Sequence, residues 1–516
     1  MGDMSSKLAA PSMFGVKAVR LPGLGYLSLT ISVSVFVALL IVIGSPQAAL
    51  GLAGAVLLGV LSFSPIPVVL WVMFLMSLLG VGLLQYFGRF NQALWLPAIF
   101  GGFLFFRALT EAIRGGRGWG YRRPSLPLPG FIWSFLGLIL ILVVSCIGNQ
   151  IPVVQAIAGT KNYVLLWGLT IFLLNVTPHE HVFEKIWRSF LFVVLTQLPF
   201  TLYQHFFVAS RRRAIGVHDA AWDSVLGTFG GDPEGGGASG ALALVLVLGM
   251  TLVLALWRRR QLSSWSALIV LTSIIVTIGL AEIKVVIGLV PAAFVLLYRR
   301  ELLRRPVFSL VSLIIIAAAL SGVVILYDNI YWSSSPGNLG ALEHLKRSFS
   351  NFFSPENMVL GTGEVGRIAG LSLWANDSRG SLIQVLFGYG VGASRLSAFA
   401  AGEVALRYFP YKIGSTSAAT LLWDVGIVGA AFFVVTIFMA AARGARLSNH
   451  ESIPLFHRCA LEVSTVGLML VLSMLPYNSD ALYLPATGFL IVFMVGFVGY
   501  WHRRIVIPGD ATASAL

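Results

Sequence analysis

The sequence predicts an all-α polytopic membrane protein of about fourteen transmembrane helices, with one large loop on a single face. Three observations predict it. Of 516 residues, 57% are hydrophobic and 11% charged, and mean hydropathy is +0.87, well outside the range of soluble domains. Apolar runs long enough for about 30 Å of hydrocarbon, roughly 17 to 25 residues each, begin near Tyr26, Ala48, Ile66, Asn91, Gly130, Asn162, Ser189, Ala238, Ser264, Lys284, Val307, Thr416, Cys459 and Tyr483. Between them the basic residues fall into short clusters on alternate loops.

The N-terminal segment carries Lys7, Lys17 and Arg20 ahead of the first run and shows no cleavage site after it, so that run reads as a retained span with the N-terminus inside. This orientation places Arg107 to Arg123, Lys185 and Arg188, Arg258 to Arg260, Arg299 to Arg305, Arg443 to Arg458, and Arg503 and Arg504 in inner segments. Most of the 35 Lys and Arg residues then obey the positive-inside rule, with both termini cytoplasmic. The net charge of +14 is therefore a match to anionic headgroups, since clusters divided among apolar runs do not form a nucleic-acid surface. Cys146 and Cys459 fall on opposite membrane faces, which excludes a disulfide between them and a metal site built from them.

In order, the chain divides into a transmembrane scaffold (1–206), a substrate-binding loop with further spans (207–326), a large outer loop (327–415) and a C-terminal set of spans (416–516). The scaffold carries little chemistry. After it the outer cations become informative, because insertion does not call for them. Arg211, Arg212 and Arg213 are consecutive in the loop expected after the seventh span, and a guanidinium fork suits phosphate oxygens. GTFGGDPEGGGASG then runs into the eighth span. It is expected to leave free N–H groups at a helix start, capped by Ser239, as a seat for a pyrophosphate.

Glu282 and Lys284 interrupt apolar sequence at the turn between the ninth and tenth spans, where they neutralise one another or serve function. The large loop carries Lys346, Arg347, Arg367, Arg379, Arg395, Arg407 and Lys412. Arg367, Leu371 and Trp374 recur at helical spacing, so Arg367 and Trp374 share a helix face and are expected to bind substrate together. Gly388, Gly390 and Gly392 let the backbone pass close to a ligand or another segment. Asp424 lies eight residues into the twelfth span, about 12 Å deep at 1.5 Å per residue, with Arg395 or Lys284 as expected partners. Glu462 lies one turn from Arg458 and is expected to snorkel.

These residues resemble the O-antigen ligase and polymerase family, membrane glycosyltransferases that use lipid-linked sugars. The resemblance rests on Gly227, Thr228, Phe229 and Gly230. It rests also on Arg367 and Trp374 ahead of Phe387, Gly388, Gly390 and Gly392, and on Leu422, Asp424 and Gly426 entering a span. Ser415 and Thr416 stand where the family carries His and Asn, and Glu282-Ile283-Lys284 replaces a Ser-Arg-Gly turn, which marks a divergent member.

The resemblance implies a metal-independent, inverting transfer on the periplasmic face of a bacterial inner membrane, with no cofactor. The donor would be an undecaprenyl-diphosphate-linked oligosaccharide and the acceptor a glycan, and other polysaccharide assembly proteins would be partners. Arg211 to Arg213, Lys284 and Arg395 would face the diphosphate, and Asp424 or Glu282 would take the acceptor proton. The rival readings are a lipid-linked oligosaccharide flippase, which calls for internal repeats and short outer loops, and a non-catalytic subunit of an export machine.

Overall fold

The computed structural model of the chain describes residues 58–113, 127–176, 178–215, 222–232, 236–327, 352–396 and 401–505, with residues 54, 343, 346 and 350 besides. Two compact units divide it, Met1–Ser64 and Pro65–Leu516. In the first, residues 58–63 are helical. The expected spans near Tyr26 and Ala48, most of the loop Arg107 to Arg123, and Arg347 lie outside the described residues.

The described helices are α1 (Ile66–Tyr86), α2 (Asn91–Thr110), α3 (Gly130–Gly148), α4 (Val153–Tyr163), α5 (Leu165–Asn175), α6 (Glu180–Ala214), α7 (Ser239–Arg258), α8 (Ser264–Leu280), α9 (Val286–Arg304) and α10 (Pro306–Tyr327). Three short ones follow, α11 (Arg367–Ala375), α12 (Leu382–Phe387) and α13 (Glu403–Arg407). The chain then closes with α14 (Ser417–Leu447), α15 (Leu455–Met474), the one-turn α16 (Asp480–Tyr483) and α17 (Pro485–Arg504). Two small hairpins, β1 (Gly231–Asp232) with β2 (Gly236–Gly237) and β3 (Met358–Val359) with β4 (Glu364–Val365), are the described strand pairs.

Among the described residues, eight helices are long and apolar enough to cross a membrane: α1, α2, α3, α6, α7, α14, α15 and α17. The pair α4–α5, bent by 45°, makes a ninth if counted as one span. The expected runs at Ser264, Lys284 and Val307 are also helices, but α8 has only 17 residues and α9 carries Arg299, Arg300, Glu301 and Arg304 in its last two turns.

Proline sets many of the starts. Pro65, Pro129, Pro152 and Pro454 occupy the position before the first helical residue, and Pro485 is itself the first, where its missing N–H has no partner to lose. The centre of the bundle is α7 and α17, with 83% and 94% of their apolar stretches inside the protein. On α17, Phe489, Phe493 and Phe497 recur every four residues and so stack in one ladder. Phe183 and Trp187 of α6 lie against that ladder, at 5.1 Å and 5.6 Å between ring centroids. Such aromatic pairs add roughly 0.5–1.5 kcal/mol beyond burial.

Two helices depart from regularity. α6 widens into a π turn at Gln204–Ala209, five residues after Pro199, and continues to Ala214. It therefore carries Arg211, Arg212 and Arg213 on its end, where a loop was expected. α14 breaks at Gly426, whose φ of 67° and ψ of −171° lie outside the helical region. The break frees the carbonyls of Trp423 and Asp424 from the helix ladder. They accept instead from the backbone N–H groups of Tyr389 and Gly390, at 2.8 Å and 3.0 Å.

Candidate functional site

The glycine-rich run passes directly over that break. A Cβ on Gly388 would stand 2.4 Å from the carbonyl of Asp424, and one on Gly426 would stand 2.5 Å from the amide nitrogen of Gly388. The glycines thus serve an approach of two backbones. Asp424 is 1% exposed, and both its oxygens face the run: Oδ2 accepts from the Gly392 amide at 3.0 Å and from the Tyr163 hydroxyl at 3.0 Å, and Oδ1 accepts from the Ser394 amide at 3.0 Å. Neither expected partner, Arg395 or Lys284, forms an ion pair with it among the described residues. Backbone and phenol donors already neutralise the carboxylate's hydrogen-bonding demand.

Beyond the run, Asp377 ties the outer layer together. Its carboxylate accepts from Tyr389 at 2.6 Å, Arg407 at 3.1 Å and Tyr408 at 3.2 Å. Leu371 and Trp374 of α11 pack on the buried cluster of Tyr389, Ala393, Val404, Ile413, Ala419 and Trp423. Trp374 therefore belongs to the packing of this layer and does not join Arg367 at a substrate surface, although both lie on α11 as expected.

Arg367 turns the other way, into a cavity of about 820 Å³ at one end of the bundle. Its walls come from the start of α7, the segment leading into α11, the residues after the glycine run, the approach to α14, and the link between α15 and α17. Of the cations expected on the outer side, Arg367, Arg395 and Lys412 line it. The Arg367 guanidinium lies 4.1 Å from the Tyr477 ring centroid, and its Nε donates to the Tyr477 carbonyl at 2.6 Å, which leaves the outer fork for a ligand. Arg395 lies over the Tyr483 ring; burial pulls its pKa below the usual guanidinium range while Tyr483 and Asp424 nearby counter that pull. Ser415 also lines the cavity, and its Oγ has no hydrogen-bond partner among the described residues. Thr416 caps α14, accepting from the Ala419 amide at 3.1 Å.

Besides the exposed Asp223 and Glu364, the cavity holds a buried acid that the sequence reading missed. Asp480 is 5% exposed, lines the cavity, and accepts from the Asn478 side-chain amide at 2.8 Å and from the backbone amide of Ala241 in the first turn of α7. Burial pushes its pKa up to about 7, against the Ala241 amide and Arg367, which lower it. The available signal was a polar break, Tyr477-Asn478-Ser479-Asp480, between two apolar runs.

Two expectations about the GTFGG stretch are corrected. α7 begins at Ser239 with Ala238 in the cap position and no side-chain cap, so Ser239 is not the N-cap. The start of the turn ahead of it, residues 226–228, has its amides engaged: Gln204 accepts from Leu226 and Gly227 at 2.9 Å and 2.7 Å, Gln197 accepts from Thr228 at 2.9 Å, and residues 224–230 are buried. The anion seated at the start of α7 is the carboxylate of Asp480.

The remaining candidates, Arg211, Arg212, Arg213, Glu282 and Lys284, do not line the cavity. Glu282 and Lys284 form an ion pair at 3.4 Å. They and the buried Arg212 are close enough to Asp223, on the cavity rim, to act on its charge. Glu462 pairs with Arg258 and Arg259 at the opposite end of the bundle and not with Arg458. Fold and cavity together define an all-α, multi-pass membrane protein with a charged chamber at one end. No protein-family model matches this chain, and no curated protein matches it.

Proposed function

We propose that the chain is a polysaccharide polymerase or ligase of the inner membrane, with both termini cytoplasmic and the cavity on the periplasmic face, and that it transfers lipid-diphosphate-linked glycan units. The observation that carries this reading is one chamber walled by Arg367, Arg395 and Lys412 together with a buried acid, Asp480. The likeness to the O-antigen ligase and polymerase family supplies the substrate class.

In the reaction an acceptor hydroxyl gives its proton to the Asp480 carboxylate as its oxygen attacks the anomeric carbon. The bond from that carbon to the diphosphate breaks with inversion, and the lipid diphosphate leaves with the electron pair. Charge grows on the leaving group, where cations already in place act most strongly. Asp480 takes the base role in place of Asp424, whose oxygens are engaged by the glycine run, and of Glu282, which Lys284 neutralises. The diphosphate contacts pass to Arg367, Arg395 and Lys412, with Arg212 and Lys284 at the rim.

Arg367→Ala and Arg395→Ala are expected to weaken binding of a short polyprenyl diphosphate, each charge-assisted contact being worth roughly 1.5–3 kcal/mol. Titration of the purified protein with a fluorescent polyprenyl diphosphate measures this. Equal affinity in both variants and wild type rules out the diphosphate seat.

A further inference from the structure

A second chamber lies at the other end of the bundle. α7 has 20 residues, so at 1.5 Å per residue its last residue, Arg258, stands about 30 Å from Ser239, which lines the cavity already described. That distance is the thickness of the hydrocarbon layer. Arg258 lines a cleft of about 330 Å³ between the ends of α7, α9 and α15.

The cleft is built. Arg258 donates to Glu301 at 2.9 Å and to Glu462 at 2.8 Å, and Arg259 also reaches Glu462, whose side chain is 14% exposed. These contacts use the two carboxylates on the wall. Arg299 and Arg300 face the same space, with Arg299 spending one donor on the Leu296 carbonyl at 3.0 Å and Arg300 one on Asn449. Four guanidinium groups thus surround two carboxylates, and the outer forks of Arg299 and Arg300 keep donors in hand. The same walls carry Leu296, partly exposed and backed by the buried Leu297 and Val466, so charge and apolar surface adjoin.

We propose that this cleft binds the phosphodiester headgroup of an anionic phospholipid, with Arg299 and Arg300 on the phosphate and the first acyl carbons against Leu296. A lipid fits better than a free anion because the cleft pairs cations with apolar wall at a bilayer-thickness remove from the opposite chamber. The site is independent of the transfer reaction.

The test is native mass spectrometry of the purified full-length protein in neutral detergent, titrated with phosphatidylglycerol or phosphatidylcholine. Wild type is expected to retain phosphatidylglycerol preferentially, and the R299Q/R300Q double variant to bind it at least about tenfold more weakly. An unchanged melting temperature of the lipid-free variant establishes that it folds. Equal retention of the two lipids, or undiminished retention by the folded variant, overturns the proposal. So does displacement of the lipid by an equal concentration of inorganic phosphate, which would make the cleft a free-anion site.

Discussion

Gly388→Ala is expected to abolish the folded protein. Gly388 has φ of 80°, a conformation that costs a side chain roughly 1–2 kcal/mol before any contact is considered. Its new Cβ would also fall 2.4 Å from the carbonyl carbon and oxygen of Asp424 and the nitrogen of Val425. All three are backbone atoms held on the other side by α3, where the Ser145 hydroxyl donates to the Asp424 carbonyl at 3.3 Å. Parting the two segments would also strip Tyr389 and Gly390 of their hydrogen bonds to α14. Overpacking adds about 1–3 kcal/mol and each buried orphan about 1–3 more, a large share of the roughly 5–15 kcal/mol that holds a typical fold. Size-exclusion chromatography of the detergent-solubilised variant is expected to lose the monodisperse peak. Wild-type yield and melting temperature would show that the crossing is looser than described.

Asp480→Asn is expected to lower glycan transfer by about 10² or more while donor binding persists. The amide keeps the side chain's shape and an oxygen for the Ala241 N–H. Because the Asp480 pKa is raised to about 7, the base is charged only above that pH, so wild-type turnover should rise through pH 7 and the variant should lose that limb. Stability runs the other way. The folded-state pKa lies above the ordinary 3.8, so between those values the folded protein holds a proton that the unfolded chain has released. This contribution is complete below pH 3.8 and is lost as pH rises through 7. The melting temperature of Asp480→Asn should therefore fall less than wild type's over that window. A variant with wild-type turnover would remove Asp480 from the reaction, and parallel melting curves would show that its proton is not held by the fold.

Much of the architecture was legible because apolar length is a direct reading of bilayer thickness. The runs at Ile66, Asn91, Gly130, Ala238, Thr416 and Tyr483 start within a few residues of α1, α2, α3, α7, α14 and α17. Arg367 and Arg395 were legible by a different route, as cations that membrane insertion does not require. The anion site at the start of α7 was half legible. A helix start facing an outer interface does attract negative charge, but the side chain that fills it comes from about 240 residues further along the chain.

Asp480 was missed because a short polar break between two spans reads as an ordinary turn. The break in α14 was hidden because Gly426 sits in apolar sequence that fits a continuous helix equally well. Gln197 and Gln204 could have been found. Seven residues apart, they lie on one face of α6 inside an apolar run, and polar side chains there need partners.

The chamber is proposed to join glycans by displacing a lipid diphosphate. The direct measurement uses proteoliposomes containing only the purified protein and a lipid-diphosphate-linked oligosaccharide, with product length read by gel electrophoresis or mass spectrometry. Wild type is predicted to lengthen or transfer the glycan and release lipid diphosphate in equal amount, and Asp480→Asn to do neither at a comparable rate. Movement of the intact lipid-linked oligosaccharide across the bilayer, with no new glycosidic bond and no diphosphate released, would contradict the account and identify a transporter.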